Sequence, residues 1–194
     1  FNAATGDIIV MLDADGSTDP SEIGMFVRLL RNGADFVKGS RYLQGAGSAD
    51  ISLFRGAGNM ALTVLVRLLF GGSFTDLCYG YMAFWKRLLP LLRLDADGFE
   101  IETLMSVRAL SARLKVVEVH SFEAKRLYGE SHLKAIPDGF RVLRTILRER
   151  FAPKEDSLAC AKCSRGATCE CRRSNQEFIP LGLQSFRGRG NGES

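Results

Sequence analysis

Two carboxylates separated by one alanine carry the clearest chemical signal in this 194-residue chain. Asp13 and Asp15 directly follow an apolar run, residues 8–12, and precede a helix-start pattern in which Asp19 is a candidate N-cap. Because ligands of open α/β sheets gather at the carboxyl ends of the strands, the two acids are placed where a ligand would lie. Carboxylate oxygens favour Mg²⁺ or Mn²⁺, with substrate phosphates completing the coordination shell. The pair therefore predicts a shared site for a divalent cation and a sugar hydroxyl.

Other classes of protein carry paired acids, and the surrounding residues separate them. A calcium-binding EF-hand loop needs Gly at its sixth position and Glu at its twelfth, where this chain has Thr18 and Gly24. The motifs of a phosphatase of the haloacid dehalogenase type match the two acids and residues 39–40. That family also needs an Asp pair after a later apolar strand, and residues 116–120 contain none. Two interpretations remain: the Asp-x-Asp sequence of a nucleotide-sugar transferase, or a solvated turn whose acids cap a helix.

The elements around this pair alternate between strand and helix patterns. Short apolar runs bounded by turn residues predict strands, and apolar residues at helical spacing predict helices. Runs that are apolar throughout suggest strands buried on both faces, as in a parallel sheet. We therefore predict one α/β domain over residues 1–151. The predicted strands are residues 8–12, 35–39, 75–85 and 116–119, and the predicted helices are 20–32, 58–70 (mostly buried), a short one near Pro90, 99–113 and 136–151.

Composition excludes several classes of function. Apolar residues make up 46% of the chain and charged residues 25%, as in soluble globular domains, and the net charge of +4 is too mild for a nucleic-acid binder. The longest apolar run, residues 60–70, contains Arg67 and is much shorter than the ~20 residues that a membrane span needs. We therefore expect that the chain does not cross a membrane by itself.

The last predicted helix, residues 136–151, has a basic surface and an apolar face. Phe140, Leu143, Ile146 and Leu147 share that face. Such a helix lies on an anionic membrane surface or packs on its own domain, and the sequence leaves both open.

Residues 152–194 change in character, because Pro, Ser, Gly, Arg and Asn dominate and hydrophobic periodicity is lost. We predict a disordered tail there. It contains a C-x₂-C-x₅-C-x-C pattern whose spacing is not a well-attested zinc pattern, so zinc binding stays open. The four cysteines are Cys160, Cys163, Cys169 and Cys171.

Five ordered blocks make a family resemblance specific. Residues 12–17 read LDADGS, 38–42 read KGSRY, 75–81 read TDLCYGY, 98–103 read GFEIET and 126–131 read RLYGES. Together they resemble glycosyltransferase family 2, in the branch of dolichol-phosphate mannose synthase and related polyprenyl-phosphate glycosyltransferases. The resemblance extends over about residues 2–149. It implies a GT-A fold, a Rossmann-like nucleotide-binding α/β domain, of which we expect only the later part here, because the strand at 8–12 has only seven residues before it. A complete small sheet of about four strands is the alternative.

The resemblance also implies roles for matching residues. Asp13 and Asp15 would hold the nucleotide and a Mg²⁺ or Mn²⁺ ion, with Ser17, which stands where relatives often have Gln, near the donor. Catalysis would depend on three further residues, two facing the transferred sugar and one the phosphates: Asp76, Glu100 and Arg126, respectively. The acceptor phosphate would meet Ser40, Arg41, Arg55 and Ser131.

These roles predict a metal-dependent inverting transferase that moves a sugar from a nucleotide-diphosphate sugar to a polyprenyl phosphate of the dolichyl type. We expect a cytoplasmic protein, peripheral at the cytoplasmic face of the membrane, and poor turnover by the isolated chain. Two alternatives stay open. One is transfer to a soluble hydroxyl acceptor, with Asp76 or Glu100 as general base. The other is an inactive fragment that binds metal or lipid.

Overall fold

The computed structural model describes residues 1, 3–129 and 133–152, and its centre is a four-stranded sheet flanked by helices. The sheet contains β1 (Ile8–Met11), β2 (Phe36–Ser40), β4 (Met82–Trp85) and β5 (Val116–His120), while β3 (Gly47–Ser48) and β6 (Phe122–Glu123) form a separate parallel pair. The helices are α1 (Ile23–Arg31), α2 (Leu53–Phe70), α3 (Leu89–Leu92), α4 (Glu100–Ser111) and α5 (Ala135–Phe151), with 3₁₀ turns at Pro20–Glu22 and Lys86–Leu88. The proposed tail and its four cysteines lie outside the described residues.

The main sheet is mixed, so the expected parallel sheet is wrong in part. Its strand order is β1-β4-β2-β5. Strand β4 runs antiparallel to both β1 and β2, and only β2 and β5 are parallel. The apolar runs predicted burial on both faces correctly for β2 and β4, but burial does not encode direction. Strand β1 is only half-buried at most positions and, within the described residues, is hydrogen-bonded to β4 alone.

Alternate side chains of the sheet pack into two separate hydrophobic cores, one on each face, because successive side chains of a strand point to opposite faces. Phe36 and Phe84 stack with ring centroids 5.9 Å apart on the face covered by α3, α4 and α5. Val37 and Ala83 point to the other face, where Phe26 of α1 packs. A central sheet covered on both faces leaves its strand ends as the place for a site.

The segment 75–81, predicted as the first part of a strand, is an irregular loop. The backbone N–H groups of residues 75–78 donate to side chains from distant elements. Asp76 N donates to the Glu118 carboxylate at 3.2 Å, and Cys78 N donates to Asn59 Oδ1 at 3.0 Å. Because these groups have partners outside any ladder, the apolar run does not extend β4.

Helix α2 starts at Leu53, five residues before the predicted start, and is mostly exposed instead of mostly buried. Ser52 caps it by accepting a hydrogen bond from Arg55 N at 3.3 Å. Only one stripe packs on the domain, so Leu53 and Leu68 stay 95% and 78% exposed. By length and composition alone, α2 is also the one helix in the described part of the chain that could cross a membrane, and 17% of it is buried.

Helix α5 packs on α4 and α2 through part of its apolar surface. Ile146 is fully buried in the core, whereas Phe140 and Leu147 are exposed. Arg108 of α4 holds Glu149 of α5 in a salt bridge of 2.8 Å. The predicted apolar face is therefore divided between the core and solvent.

Candidate active site

A cavity of about 780 Å³ opens beyond the carboxyl ends of β1 and β2, between the first turns of α2 and α5. Acidic and basic side chains line its inner part, and apolar side chains line its mouth. The inner part includes Asp13, Asp15, Arg41, Asp50, Arg55, Glu102, Glu123 and Arg126. The mouth includes Phe54, Leu62, Phe99, Ile136, Phe140 and Leu143.

The two aspartates are presented by a tight turn after β1. Gly16 adopts φ +80°, a region that favours glycine, and Ser17 N donates to Asp15 Oδ1 at 2.9 Å. Although desolvation raises the pKa of Asp15, the hydrogen bonds from Ser17 outweigh it, and the charge of Arg126 helps, so the net shift is downward. Desolvation in the cavity, followed by the charges of Asp15 and Glu123, raises the pKa of Asp13. The turn therefore concentrates negative charge that a bound cation would relieve.

Arg126 reaches the aspartate turn from the segment after β6. Its guanidinium lies 3.3 Å from Asp15 Oδ2 and 3.9 Å from Asp50 Oδ2. The backbone fixes this approach, because the N–H groups of Leu127 and Tyr128 both donate to the carbonyl of Asp15, at 3.0 and 3.1 Å. The sequence blocks around positions 13 and 126 are therefore in direct contact in the fold.

Arg41 lines the cavity, but its guanidinium is held by the protein. Its Nε and Nη2 donate to the two carboxylate oxygens of Asp76 at 2.7 and 3.0 Å. Nη1 donates to Glu123 at 3.0 Å, and Nη2 also reaches the carbonyl of Cys78 at 3.4 Å. Asn59 Nδ2 donates to Asp76 at 2.9 Å, and the Asp76 side chain is fully buried. Asp76 therefore lies behind Arg41 instead of facing the cavity.

Arg55 lines the opposite wall, on the first turn of α2. Its Nη2 donates to the carbonyl of Leu133, next to α5, at 3.2 Å. This contact joins the two helices at the cavity mouth. A ligand entering between the helices would pass the Arg55 guanidinium.

Two glutamates of α4 separate onto different surfaces of the helix. Residues two positions apart differ by about 200° around a helix axis, so Glu100 and Glu102 cannot point the same way. Glu102 lines the cavity, and desolvation raises its pKa to about 7. Glu100 is not among the cavity-lining residues; its Oε2 lies 3.9 Å from Arg141 Nε.

The structure brings together five of the ten residues proposed from the sequence. These five line the cavity: Asp13, Asp15, Arg41, Arg55 and Arg126. Ser17 and Ser40 are buried outside it, and Ser40 Oγ shares a 2.6 Å hydrogen bond with Thr75 Oγ1. Asp76 and Glu100 also lie outside the cavity lining, and Ser131 is outside the described residues. The roles proposed for all ten stay predictions.

Sequence reasoning missed Glu102 and Glu123 as cavity residues. Glu102 lies in the GFEIET block, so a helical-wheel argument with a known packed face would have found it. Glu123 lies in β6, a two-residue strand that is too short for any periodicity to predict.

Comparison with known proteins identifies a family and a fold. Residues 1–90 match the family profile described as glycosyl transferase family 2. The chain is 31% identical over 150 residues to a dolichol-phosphate mannosyltransferase of Pyrococcus furiosus, which covers 76% of this chain and 42% of that relative. It is 30% identical over 130 residues to an undecaprenyl-phosphate mannosyltransferase of Micrococcus luteus, covering 66% and 53%. The chain thus spans about half the length of these curated relatives.

Solved structures give the same fold. A glucosyl-3-phosphoglycerate synthase from Mycobacterium tuberculosis, bound to phosphoglyceric acid, superposes with a TM-score of 0.57 at 21% identity over 79% of this chain and 53% of the other. The same enzyme with Mn²⁺, uridine-diphosphate and glucosyl-3-phosphoglycerate gives 0.56 at 22% identity over the same shares. This similarity confirms the predicted GT-A α/β fold.

Proposed function

This chain belongs to glycosyl transferase family 2, and from that membership we propose that it transfers a sugar, with inversion, from a nucleotide-diphosphate sugar to a polyprenyl phosphate. The observation that carries the proposal is one cavity with carboxylates at its base, arginines along its walls and apolar residues at its mouth. The carboxylates suit a divalent cation that holds a diphosphate, and the arginines suit the phosphate of the acceptor. The apolar residues suit a lipid chain. Relatives named for transfer to dolichol phosphate and undecaprenyl phosphate support the choice of acceptor.

The residues present fit a divalent cation at Asp13 and Asp15. Their carboxylate oxygens suit Mg²⁺ or Mn²⁺. Desolvation, followed by the charges of Asp15 and Glu123, raises the pKa of Asp13, and a bound cation would stabilise the charged form of that carboxylate. Across residues 1, 3–129 and 133–152, no three His, Cys, Asp or Glu side chains are placed to hold a metal ion. Two carboxylates completed by substrate phosphates and water are usual for such ions. When bound, the ion would offset charge on the departing diphosphate.

Arg126 is the residue of this chain that we assign to the donor diphosphate. Its guanidinium already lies against Asp15, so a diphosphate held at the aspartates would be within its reach. The planar guanidinium binds two phosphate oxygens at once, and the fixed backbone of its segment keeps it in place. Stabilisation of the leaving group by such fixed charges is electrostatic work that needs no proton transfer.

The acceptor phosphate would meet Arg55 at the mouth, with its lipid chain among the apolar residues there. A phosphate monoester has a second pKa of ~6, so near neutral pH it is mostly dianionic and needs no general base. The alternative hydroxyl acceptor requires such a base. Asp76, one of the two bases named for that alternative, is enclosed by Arg41 and Asn59, and Glu100 does not line the cavity. These contacts favour the phosphate acceptor.

We also propose that the cavity mouth faces a membrane surface at the cytoplasmic side. Leu53 and Phe54 of α2 and Phe140 of α5 are 95%, 66% and 67% exposed around that mouth. Helix α5 adds exposed cations, among them Arg144. Exposed apolar residues with nearby positive charge suit an anionic membrane surface, where a lipid acceptor resides.

The test is a transfer assay with the full chain, Mn²⁺ and a panel of radiolabelled GDP-mannose, UDP-glucose and UDP-galactose. A short polyprenyl phosphate is the acceptor, and the matching polyprenol, which lacks the phosphate, is the control. We expect slow labelling of the lipid phase with the phosphate alone, in keeping with the poor turnover expected of the isolated chain, and loss of that label with EDTA. Equal labelling of the polyprenol, or transfer to a soluble sugar instead, would refute the proposed acceptor.

A further inference from the structure

The first two turns of α5 form one wall of the cavity mouth. Ile136 and Phe140 of these turns line the mouth, and Leu133 lines it two residues before the helix begins. On the α2 side, Arg55 Nη2 donates to the Leu133 carbonyl at 3.2 Å. Arg55 is also the residue proposed to meet the acceptor phosphate. The position of α5 relative to α2 therefore affects how a phosphate reaches that guanidinium.

Helix α4 contacts the same part of α5 through a pair of opposite charges. Glu100 Oε2, on the first turn of α4, lies 3.9 Å from Arg141 Nε. Arg141 Nη1 donates to Asp138 Oδ1 at 3.2 Å, and Asp138 Oδ2 accepts from the backbone N–H of Lys134, the N-cap residue of α5, at 2.7 Å. Asp138 also lines the cavity. A continuous series of polar contacts thus joins α4 to the start of α5.

The Glu100 carboxylate is largely buried, and Arg141 is its salt-bridge partner. The Glu100 side chain is 15% exposed, and within the described residues its Oε2 accepts no hydrogen bond. A carboxylate that is largely buried without hydrogen bonds depends on nearby positive charge. The N-terminus of α4 provides part of that charge, and the half-exposed Arg141 guanidinium provides the ion pair. The carboxylate therefore stabilises the arrangement in which Arg141, and α5 with it, lies close to α4.

Gly98 leaves the space in which the two charges meet. A Cβ added there would lie 2.5 Å from Glu100 Oε2 and 3.0 Å from Arg141 Nη1. Since the first distance is too short for a carbon–oxygen contact, alanine at this position would displace the Glu100 carboxylate from the ion pair. The GFEIET block thus contains both the acid and the glycine that makes room for it.

We propose that Glu100 is a positioning residue: through Arg141 it fixes the start of α5 across the cavity mouth and so raises the affinity for the phosphate acceptor. The inference rests on the proposed function, since it takes a polyprenyl phosphate as the ligand that meets Arg55. Glu100 then acts through α5, whereas the family resemblance implies that it faces the transferred sugar. The competing explanation is a first-turn acid that stabilises α4 alone.

The experiment measures the dissociation constant of a two-isoprene prenyl phosphate by calorimetry with the full chain, so that slow turnover does not affect the result. Because the Arg141 guanidinium is half-exposed, we expect Glu100→Gln and Arg141→Gln each to weaken binding about 2- to 5-fold. The double variant should bind no more weakly than either single variant, because both changes remove the same ion pair. At about 1 M salt the ratio of variant to wild type should approach one.

Two further variants separate the ion pair from a general effect on the helices. Gly98→Ala, which keeps both charges, should give the same loss of affinity, and Glu100→Gln keeps the side-chain size if Gly98→Ala does not fold. Glu149→Gln is the matched control, because it breaks the 2.8 Å ion pair with Arg108 at the opposite end of α5 and should leave acceptor affinity unchanged.

Three results would overturn the inference while leaving the proposed function standing. Removal of a negative charge near a phosphate by itself strengthens binding, so unchanged or tighter binding by Glu100→Gln is the first. An equal loss in Glu149→Gln would show a general dependence on the stability of α5. A loss in Arg141→Gln alone would place Arg141 directly on the phosphate. If the wild-type chain binds the prenyl phosphate no better than the matching prenol, the proposed function itself fails.

Discussion

Replacement of Arg41 by alanine should damage the fold of this protein before it affects any acceptor. Arg41 is the principal partner of Asp76, a fully buried carboxylate, and the two are joined by a bidentate contact of 2.7 and 3.0 Å. Arg41 N also donates to Asp76 at 3.1 Å, and the guanidinium lies 4.8 Å over the Tyr79 ring. The alanine variant would leave the Asp76 charge buried, with the Asn59 amide and the backbone N–H of residue 41 as its remaining donors among the described residues.

The magnitude follows from the cost of an uncompensated buried charge. Removal of one partner of a buried ion pair costs about 3–5 kcal/mol. The side chains of Arg41 and Asp76 are 8% and 0% exposed, so solvent screening reduces this little. For a chain of this size, 1 kcal/mol moves Tm by about 2–4 °C, so we expect a fall of about 6–20 °C.

Urea unfolding followed by circular dichroism measures the change in the free energy of unfolding. Arg28→Ala, which removes an exposed cation of α1, is the matched control and should stay within about 0.5 kcal/mol of wild type. The double variant Arg41→Ala/Asp76→Asn should recover part of the loss, because the buried charge is gone. If the free energy of unfolding of Arg41→Ala decreases by less than about 1 kcal/mol while the phosphate acceptor binds more weakly, this reasoning is refuted. That result would favour the acceptor role that the family resemblance predicts.

Three further predictions test the site and the surface. Asp15→Asn should abolish Mn²⁺-dependent donor binding in calorimetry while the circular dichroism spectrum stays unchanged; an unaltered metal affinity would contradict the assignment. Burial raises the pKa of Glu118 to about 7 from the usual 4.5, so the folded state holds that proton more tightly than the unfolded chain. Stability should therefore fall as the pH rises from about 4.5 to 7, by at most about 3 kcal/mol from this group, and urea unfolding of Glu118→Gln should show a flatter pH dependence. Phe140→Glu should weaken co-sedimentation with anionic vesicles at low salt, whereas equal binding would exclude α5 from a membrane contact.

Local sequence patterns were sufficient for most of the elements and for part of the site. The apolar run before Asp13, and the cap and proline after it, predicted β1 and the helical start at position 20. The family, and with it the GT-A fold, followed from five ordered blocks, because their order constrains far more than one acidic pair. Helix α5 appeared where its periodicity placed it, since a long amphipathic pattern is a strong signal.

Contacts between distant residues decided what these patterns could not. Residues 75–81 have the composition of a strand, yet the N–H groups of Asp76 and Cys78 donate to the side chains of Glu118 and Asn59. Arg41 has the sequence context of a phosphate ligand, but Asp76, 35 positions away, binds it in two places.

The sequence by itself determined which residues could form strands and helices, the acidic turn after β1 and the family, because each depends on neighbours along the chain or on the order of blocks. The tertiary structure alone decided that β4 runs antiparallel and that Glu102 instead of Glu100 lines the cavity. It also decided that Arg41 forms a bidentate ion pair with Asp76. The physical reason is that strand direction, the packed face of a helix and the partner of a charge are set by groups far apart in sequence, which come together only when the chain folds.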